Sequence, residues 1–418
     1  MRQRHTILLI PGFFGFGNIG DLRYFVGVQE RLMKKLGDRT SEEFEVVEVS
    51  TLPTASIRQR AARVLDVIAS RLESGSQFHL VGHSTGGLDA RLAIAPTAAL
   101  PVQSPIEGLE IYKRIRTLVT VSTPHYGTPL AGFFGSAMGK PLLRALSAAT
   151  ILILEHGSIP LSVALKLGQA FSRADDFFGQ RDTILDQVYR QVLDNFSPEV
   201  RKSVIELVDA IGKDQSLIFQ LTSAGCDILN ASTAHPDSVR YGCVVTCAAP
   251  PRAAHVIGPR GDLYARALHL IYAGLWTIAA RSVATMLPKP EDKQLGVLES
   301  RLGRVPRRED NDGVVPSLSQ VWGEVIDAVE GDHLDIVGHY GSAGNDAGGD
   351  WLPTGSRFDA AAFERTWDRI ADFLVEQLEA PKAAQPAEHP PLEPVQAPHP
   401  ELGKTQLEKC KPDEATPP

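Results

Sequence analysis

Cysteine is scarce: four in 418 residues, at Cys226, Cys243, Cys247 and Cys410. That excludes a disulfide-stapled scaffold and calls for no oxidising compartment. Cys243 and Cys247 sit four apart in the apolar run YGCVVTCAA and read as small buried hydrophobes. No CxxC pair accompanies a pair of histidines, so a zinc ribbon is not expected. A basic excess is also lacking. The 42 Lys and Arg against 50 Asp and Glu leave a net charge of −8, the wrong sign for a general nucleic-acid binder. No 18-residue apolar stretch is free of charge, so no transmembrane helix is expected. The nearest candidate, LHLIYAGLWTIAARSVATML, holds Arg281 within it. The start, MRQRHTILLIPG, has too short an apolar run for a secretory leader and no small-residue cleavage site. It reads as a first strand, and the expected location is cytoplasmic, with leaderless export left open.

What is present is ordinary globular composition, 43% hydrophobic and 22% charged. Short apolar runs alternate with amphipathic helices up to about residue 130. HTILLI (5–10), FEVVEVS (44–50), QFHLVGHS (77–84) and RIRTLVTVSTP (114–124) read as strands. SIRQRAARVLDVIASRLESG (56–75) carries Ile57, Ala61, Val64, Leu65, Ile68 and Leu72 at helical spacing, with Gly75 as its stop. LDARLAIA reads as a further helix. Strands alternating with helices predict βαβ units and a mainly parallel sheet. From about 130 to 224 the rhythm gives way to helices alone. Strand character returns at YGCVVTCAAP (241–250), helix at 265–288, and a clear amphipathic helix spans 358–380. Ten prolines fall after Ala380, with few large apolar groups, so a disordered tail is expected there. The expected division is a core of 1–130 and 225–380, with 265–288 as a helical excursion. A helical cap or lid fills 131–224, and the Pro-rich tail spans 381–418.

The chemistry concentrates at Gly82-His83-Ser84-Thr85-Gly86-Gly87, a G-x-S-x-G between a strand and a helix. Such a turn lifts a serine hydroxyl above the sheet, and the following helix aims its first N–H groups at charge developing there. A serine hydroxyl needs a base. In α/β-hydrolases, whose nucleophile turn this one resembles, the acid follows the nucleophile in chain order and the base follows the acid. His389 and His399 lie in the tail, which leaves His333, in Gly331-Asp332-His333-Leu334, with His339 as the alternative. Asp312, in Asn311-Asp312-Gly313, is the acid, with Asp310 as the alternative. His83 reads as a packed residue, His125 as one that orders its own loop, and Asp89 with Arg91 as a structural polar pair.

Pro11-Gly12-Phe13, Gly82–Gly87, Ser122-Thr123-Pro124-His125-Tyr126-Gly127, Asn311–Pro316 and Asp332–Asp335 occur in that order. Together they resemble the bacterial triacylglycerol lipases of the α/β-hydrolase superfamily. The resemblance covers about residues 5–130 and 300–375. It implies an α/β-hydrolase fold, a mainly parallel sheet with helices on both faces; the large helical cap and the disordered tail lie outside the resemblance and rest on the patterns above. It also implies an oxyanion hole from the backbone N–H groups of Phe13 and Thr85. Pro11 stands where those lipases carry His. Phe14 and Phe16, with Phe13, Phe133 and Phe134, are expected to line an acyl pocket, although core packing would also explain them. Some of these lipases bind calcium through an Asp two residues after the catalytic His and another upstream of the acid. Asp335 fits the first place and Asp292 the second, but spacing alone assigns no metal. No cofactor is expected. The expected partner is a lipid or small ester, with transient contact between the cap and a lipid surface. The expected activity is serine hydrolysis of carboxylic esters, acylglycerols above all. The same residues serve phospholipases, thioesterases and acyltransferases, and a non-catalytic binding protein is the remote alternative.

Overall fold

The computed structural model describes residues 4–13, 23–52, 55–103, 111–137, 139–172, 181–252, 263–281, 287, 289–341 and 349–379. The expected tail, and Phe14 and Phe16, lie outside the described residues.

Six strands form one sheet: β1 (Arg4–Ile10), β2 (Glu43–Glu48), β3 (Gln77–His83), β4 (Ile115–Val121), β5 (Arg240–Cys247) and β6 (Glu324–Glu330). Their order is β2-β1-β3-β4-β5-β6, and every neighbouring pair is parallel. A parallel sheet is covered on both faces, so its inner strands are apolar without alternation. In β1, Ile7 and Leu9 enter one core cluster and Leu8 and Ile10 the other. The first cluster takes in Leu32 and Leu36 of α1 (Val28–Arg39) and Trp367 and Phe373 of α13 (Ala360–Glu379). The second takes in Ala61, Val64 and Ile68 of α2 (Ile57–Ala69) and Ala90 of α3 (Thr85–Ala93). The chain steps outward from β1 to β2, then back past β1 to β3. Right-handed crossovers in opposite directions place their helices on opposite faces. The loops after β1 and β3 therefore leave the sheet side by side and diverge, which opens a crevice between them.

Between β4 and β5 come α4 (Pro129–Gly135), α5 (Gly139–His156), α6 (Leu161–Ser172), α7 (Arg181–Leu193), α8 (Pro198–Lys213), α9 (Ser216–Gln220) and α10 (Ser223–Ser232). α11 (Leu263–Ala279) and α12 (Asp292–Leu302) lie between β5 and β6. α11 packs against α6 at Gly168 and Gly274, where an added Cβ would stand 2.9 Å from Ala267 O and 2.5 Å from the Phe171 ring. Two local readings are corrected. α2 stops at Ala69, beyond which Arg71 N donates to Ile68 O (3.0 Å) and Leu72 N to Ala69 O (3.2 Å) in tighter turns. Gly75, at φ 89°, instead turns the chain into β3. α12 was not foreseen. Its apolar stripe is thin, with Leu298 its buried side chain, so periodicity gave little signal.

Candidate active site

Ser84 stands between β3 and α3 with φ 54° and ψ −128°, a region costly to any residue with a side chain. The flanking glycines allow it. A Cβ on Gly82 would lie 2.5 Å from Gly86 C, and one on Gly86 would lie 2.1 Å from Ile10 O. The turn is thus pressed against its own return and against the end of β1. Ser84 N donates to Val121 O (2.8 Å), tying the turn to β4.

His333 Nε2 lies 2.9 Å from Ser84 Oγ, and His333 Nδ1 lies 2.8 Å from Asp312 Oδ2. Asp312 is fully buried. Its Oδ1 accepts from the N–H of Val314 (3.0 Å) and Val315 (2.7 Å). Its Oδ2 accepts from Thr246 Oγ1 (2.7 Å) and Gln320 Nε2 (3.1 Å). Four donors besides the imidazole therefore fix the carboxylate plane. His333 N also donates to Asp312 O (3.1 Å). The two alternatives are engaged elsewhere: Asp310 with Arg304 and Arg307, and His339 Nε2 with Tyr24 O.

Phe13 follows the end of β1, and Thr85 opens α3, where the first N–H groups of a helix have no intrahelical acceptor. Gly12 brings these two segments together. A Cβ there would fall 2.7 Å from Ser84 Cβ and 2.6 Å from Tyr24 Oη. Ser84, Thr85, Phe13 and His333 face an open cleft. Its other walls are almost wholly apolar, with Leu143, Leu146, Leu275 and Trp351 among them. Trp351 Nε1 donates to Thr150 Oγ1 (2.8 Å), satisfying the one polar atom of that ring. Phe134 lines the cleft as expected, whereas Phe133 packs on the core beside it.

Several neighbours depart from the sequence reading. His83 is more than a packed ring. Its Nε2 donates to His333 O (2.8 Å), so its Nδ1 accepts from the Tyr24 hydroxyl (2.7 Å). Burial holds this imidazole neutral, its pKa well below the usual range. Asp89 and Arg91 do not pair, since residues two apart on a helix face different ways. Asp89 binds Arg60, and Arg91 reaches His125 Nδ1, Asn230 Oδ1 and His235 Nε2. His125 also reaches Thr120 Oγ1 (3.1 Å), which orders the loop after β4. Thr246, Gln320, Tyr24 and Arg60 were missed, because polar residues inside apolar patterns carry no motif.

Of the two aspartates whose spacing suggested calcium without assigning it, Asp335 joins a carboxylate cluster and Asp292 does not. Asp335 meets Asp332 and Asp350, with one oxygen from each within 4.8 Å of the others. Asp292 is exposed at the start of α12 and stands outside this cluster. Asp332 Oδ2 and Asp350 Oδ1 are buried without a hydrogen-bond partner. Burial pushes all three carboxyl groups upward in pKa. An all-oxygen, partly unsatisfied donor set of this kind fits a hard cation.

The parallel six-stranded sheet, with the serine turn between β3 and α3, is the arrangement of the α/β-hydrolase fold. Residues 1–158 match the family described as "Putative serine esterase (DUF676)". A curated triacylglycerol lipase of Pseudomonas fragi is 30% identical over 168 residues, covering 38% of this chain and 51% of that lipase. The chain thus spans about half the length of that curated relative. Among solved structures, Staphylococcus hyicus lipase aligns with a TM-score of 0.49 at 15% identity, over 91% of this chain and 97% of that one. Lipase 1 of Pelosinus fermentans aligns at 0.48 and 14%, over 89% and 98%. Among the described residues, no single helix is long and apolar enough to cross a membrane.

Proposed function

We propose that this chain is a serine hydrolase of carboxylic esters, with acylglycerols as its principal substrates. The observation that carries the reading is the unbroken hydrogen-bond chain from Ser84 through His333 to Asp312, opening on an apolar cleft. Ser84 Oγ attacks the ester carbonyl while His333 Nε2 takes its proton. Asp312 holds the imidazole in the required tautomer and offsets the charge it gains. The tetrahedral oxyanion is met by the N–H groups of Phe13 and Thr85, each contributing about 10²–10³ in rate. His333 then protonates the leaving alkoxide, and water activated by the same imidazole releases the fatty acid. The cleft walls offer an acyl chain almost no polar competitor, and this favours long apolar chains. Asp332, Asp335 and Asp350 would hold a calcium ion. Its charge would offset buried carboxylates and brace the turn that carries His333.

The test is hydrolysis of p-nitrophenyl esters of increasing acyl length by wild type and Ser84→Ala. Activity abolished in the variant, with a preference for long chains, supports the lipase reading and makes triolein emulsion the next substrate. Ser84-dependent activity confined to short chains moves the reading to an esterase or thioesterase. No wild-type turnover on any ester overturns it.

A further inference from the structure

We propose that Arg60 is a positioning residue that orients both N–H donors of the oxyanion hole. This inference rests on the hydrolase reading above. Arg60 lies on α2, far in sequence from either donor, and is completely buried. Its Nη2 lies within hydrogen-bond distance of Pro11 O (2.8 Å), Asp89 Oδ2 (2.8 Å), Gly12 O (3.1 Å) and Thr85 Oγ1 (3.3 Å), which share its two N–H groups. Its Nη1 donates to Leu52 O (2.8 Å) and its Nε to Asp89 Oδ2 (2.8 Å). One planar fork therefore grips the loop after β1, the segment after β2 and two sites on α3.

The geometry of the peptide bond makes this grip matter. Gly12 O and Phe13 N–H belong to a single trans peptide unit and point in opposite directions. Holding Gly12 O toward the guanidinium turns Phe13 N–H away from it. Without that hold, the glycine side of this peptide is the easiest place in the loop for it to rotate, because Gly12 has no Cβ to restrict it. The second donor is reached through the same nitrogen, since Thr85 supplies both its N–H to the hole and its hydroxyl to Arg60. Asp89, one helical turn further along α3, fixes the plane of the fork. Arg60 thus sets one donor relative to the other, and it does so from outside the cleft, where substrate does not reach it.

The test uses the full chain carrying Arg60→Lys, which keeps a positive charge beside Asp89 but loses the fork. Steady-state kinetics on a long-chain p-nitrophenyl ester are paired with two inhibitors. One is an alkyl trifluoromethyl ketone, whose adduct with serine bears an oxyanion. The other is the matching long-chain alcohol, which bears none. The expected result is a fall in kcat of about 10²-fold, the size of losing one aimed donor, with KM within about twofold. Trifluoromethyl ketone affinity should fall in parallel and alcohol affinity should not change. If Arg60→Lys does not fold, Arg60→Met/Asp89→Leu removes both buried charges together and is read the same way. Unchanged kcat in a folded variant overturns the proposal, as does equal loss of affinity for both inhibitors. Both results are distinct from failure of the hydrolase reading, in which the wild type itself turns over no ester.

Discussion

At the scale of single residues, the most demanding position is Ser84, a non-glycine at φ 54° whose neighbours must be glycine for the turn to close. Asp312 is the most heavily constrained side chain of the site, with four donors besides His333. Asp312→Asn keeps the shape but replaces one acceptor with an amide donor, which favours the wrong tautomer of His333. We expect kcat to fall by about 10³–10⁴ with little change in KM on the same ester, and the melting temperature to fall because the amide N–H groups face donors that the carboxylate accepted from. Motif and chain order pointed to Ser84, Asp312 and His333 because nucleophile turns and Asp-Gly turns have rigid local requirements. The residues that hold them were not legible. Thr246 sits in an apolar strand and Gln320 in a short helical turn, and their roles depend on which loops converge. Arg60 did leave a trace: it lies three residues after Ile57 and four before Val64, on the buried stripe of α2. A charge on an apolar stripe announces burial, but not its partner.

At the scale of elements, the decisive contact is the start of α3 against the end of β1. A methyl group on Gly86 would meet Ile10 O at 2.1 Å and Pro11 O at 2.8 Å, both backbone atoms that cannot swing aside. Gly86→Ala should therefore push α3 from the sheet, with a loss of about 1–3 kcal/mol in urea unfolding and a larger fractional loss of activity than of stability. Equal activity per folded molecule would contradict this. β1, β3, β4 and β5 were readable because buried parallel strands are continuous apolar runs, whereas β6, with its acidic ends and Asp327 inside it, was not read as a strand. Helix ends were read less well. α2 was extended to Gly75 because Leu72 continues its period, yet from Arg71 on the backbone bonds tighten to i→i−3, which periodicity does not register.

At the scale of the whole molecule, buried imidazoles make stability depend on pH. His79 joins β3 to β1 through His5 Nδ1 (3.1 Å) and to β4 through Thr117 Oγ1 (2.9 Å). Burial, with the nearby His5 and Arg116, pulls its pKa from 6.5 to about 3. The folded state therefore binds fewer protons than the unfolded chain below pH 6.5. This contribution is complete above pH 6.5 and is lost as pH falls toward 3. Asp332, Asp335 and Asp350 act in the opposite sense, because their pKa values are raised. The wild-type profile sums both, so the comparison must be with His79→Gln. That variant should lose less stability than wild type between pH 6.5 and 4.5 in urea titrations, whatever its stability at neutral pH. Parallel curves would show that His79 does not stay neutral.

The sequence by itself determined the alternation of strand and helix and the serine turn. Each depends on residues adjacent in the chain, through side-chain periodicity, glycine conformations or turn chemistry. Tertiary structure alone decided that β1 and β3 lie side by side, so that Gly12 meets Ser84 and Arg60 spans both donor segments. It also decided that Asp335 finds Asp332 and Asp350 instead of Asp292. Those contacts join residues tens to hundreds of positions apart, and only the crossovers of the sheet and the burial they enforce bring such groups within hydrogen-bonding distance.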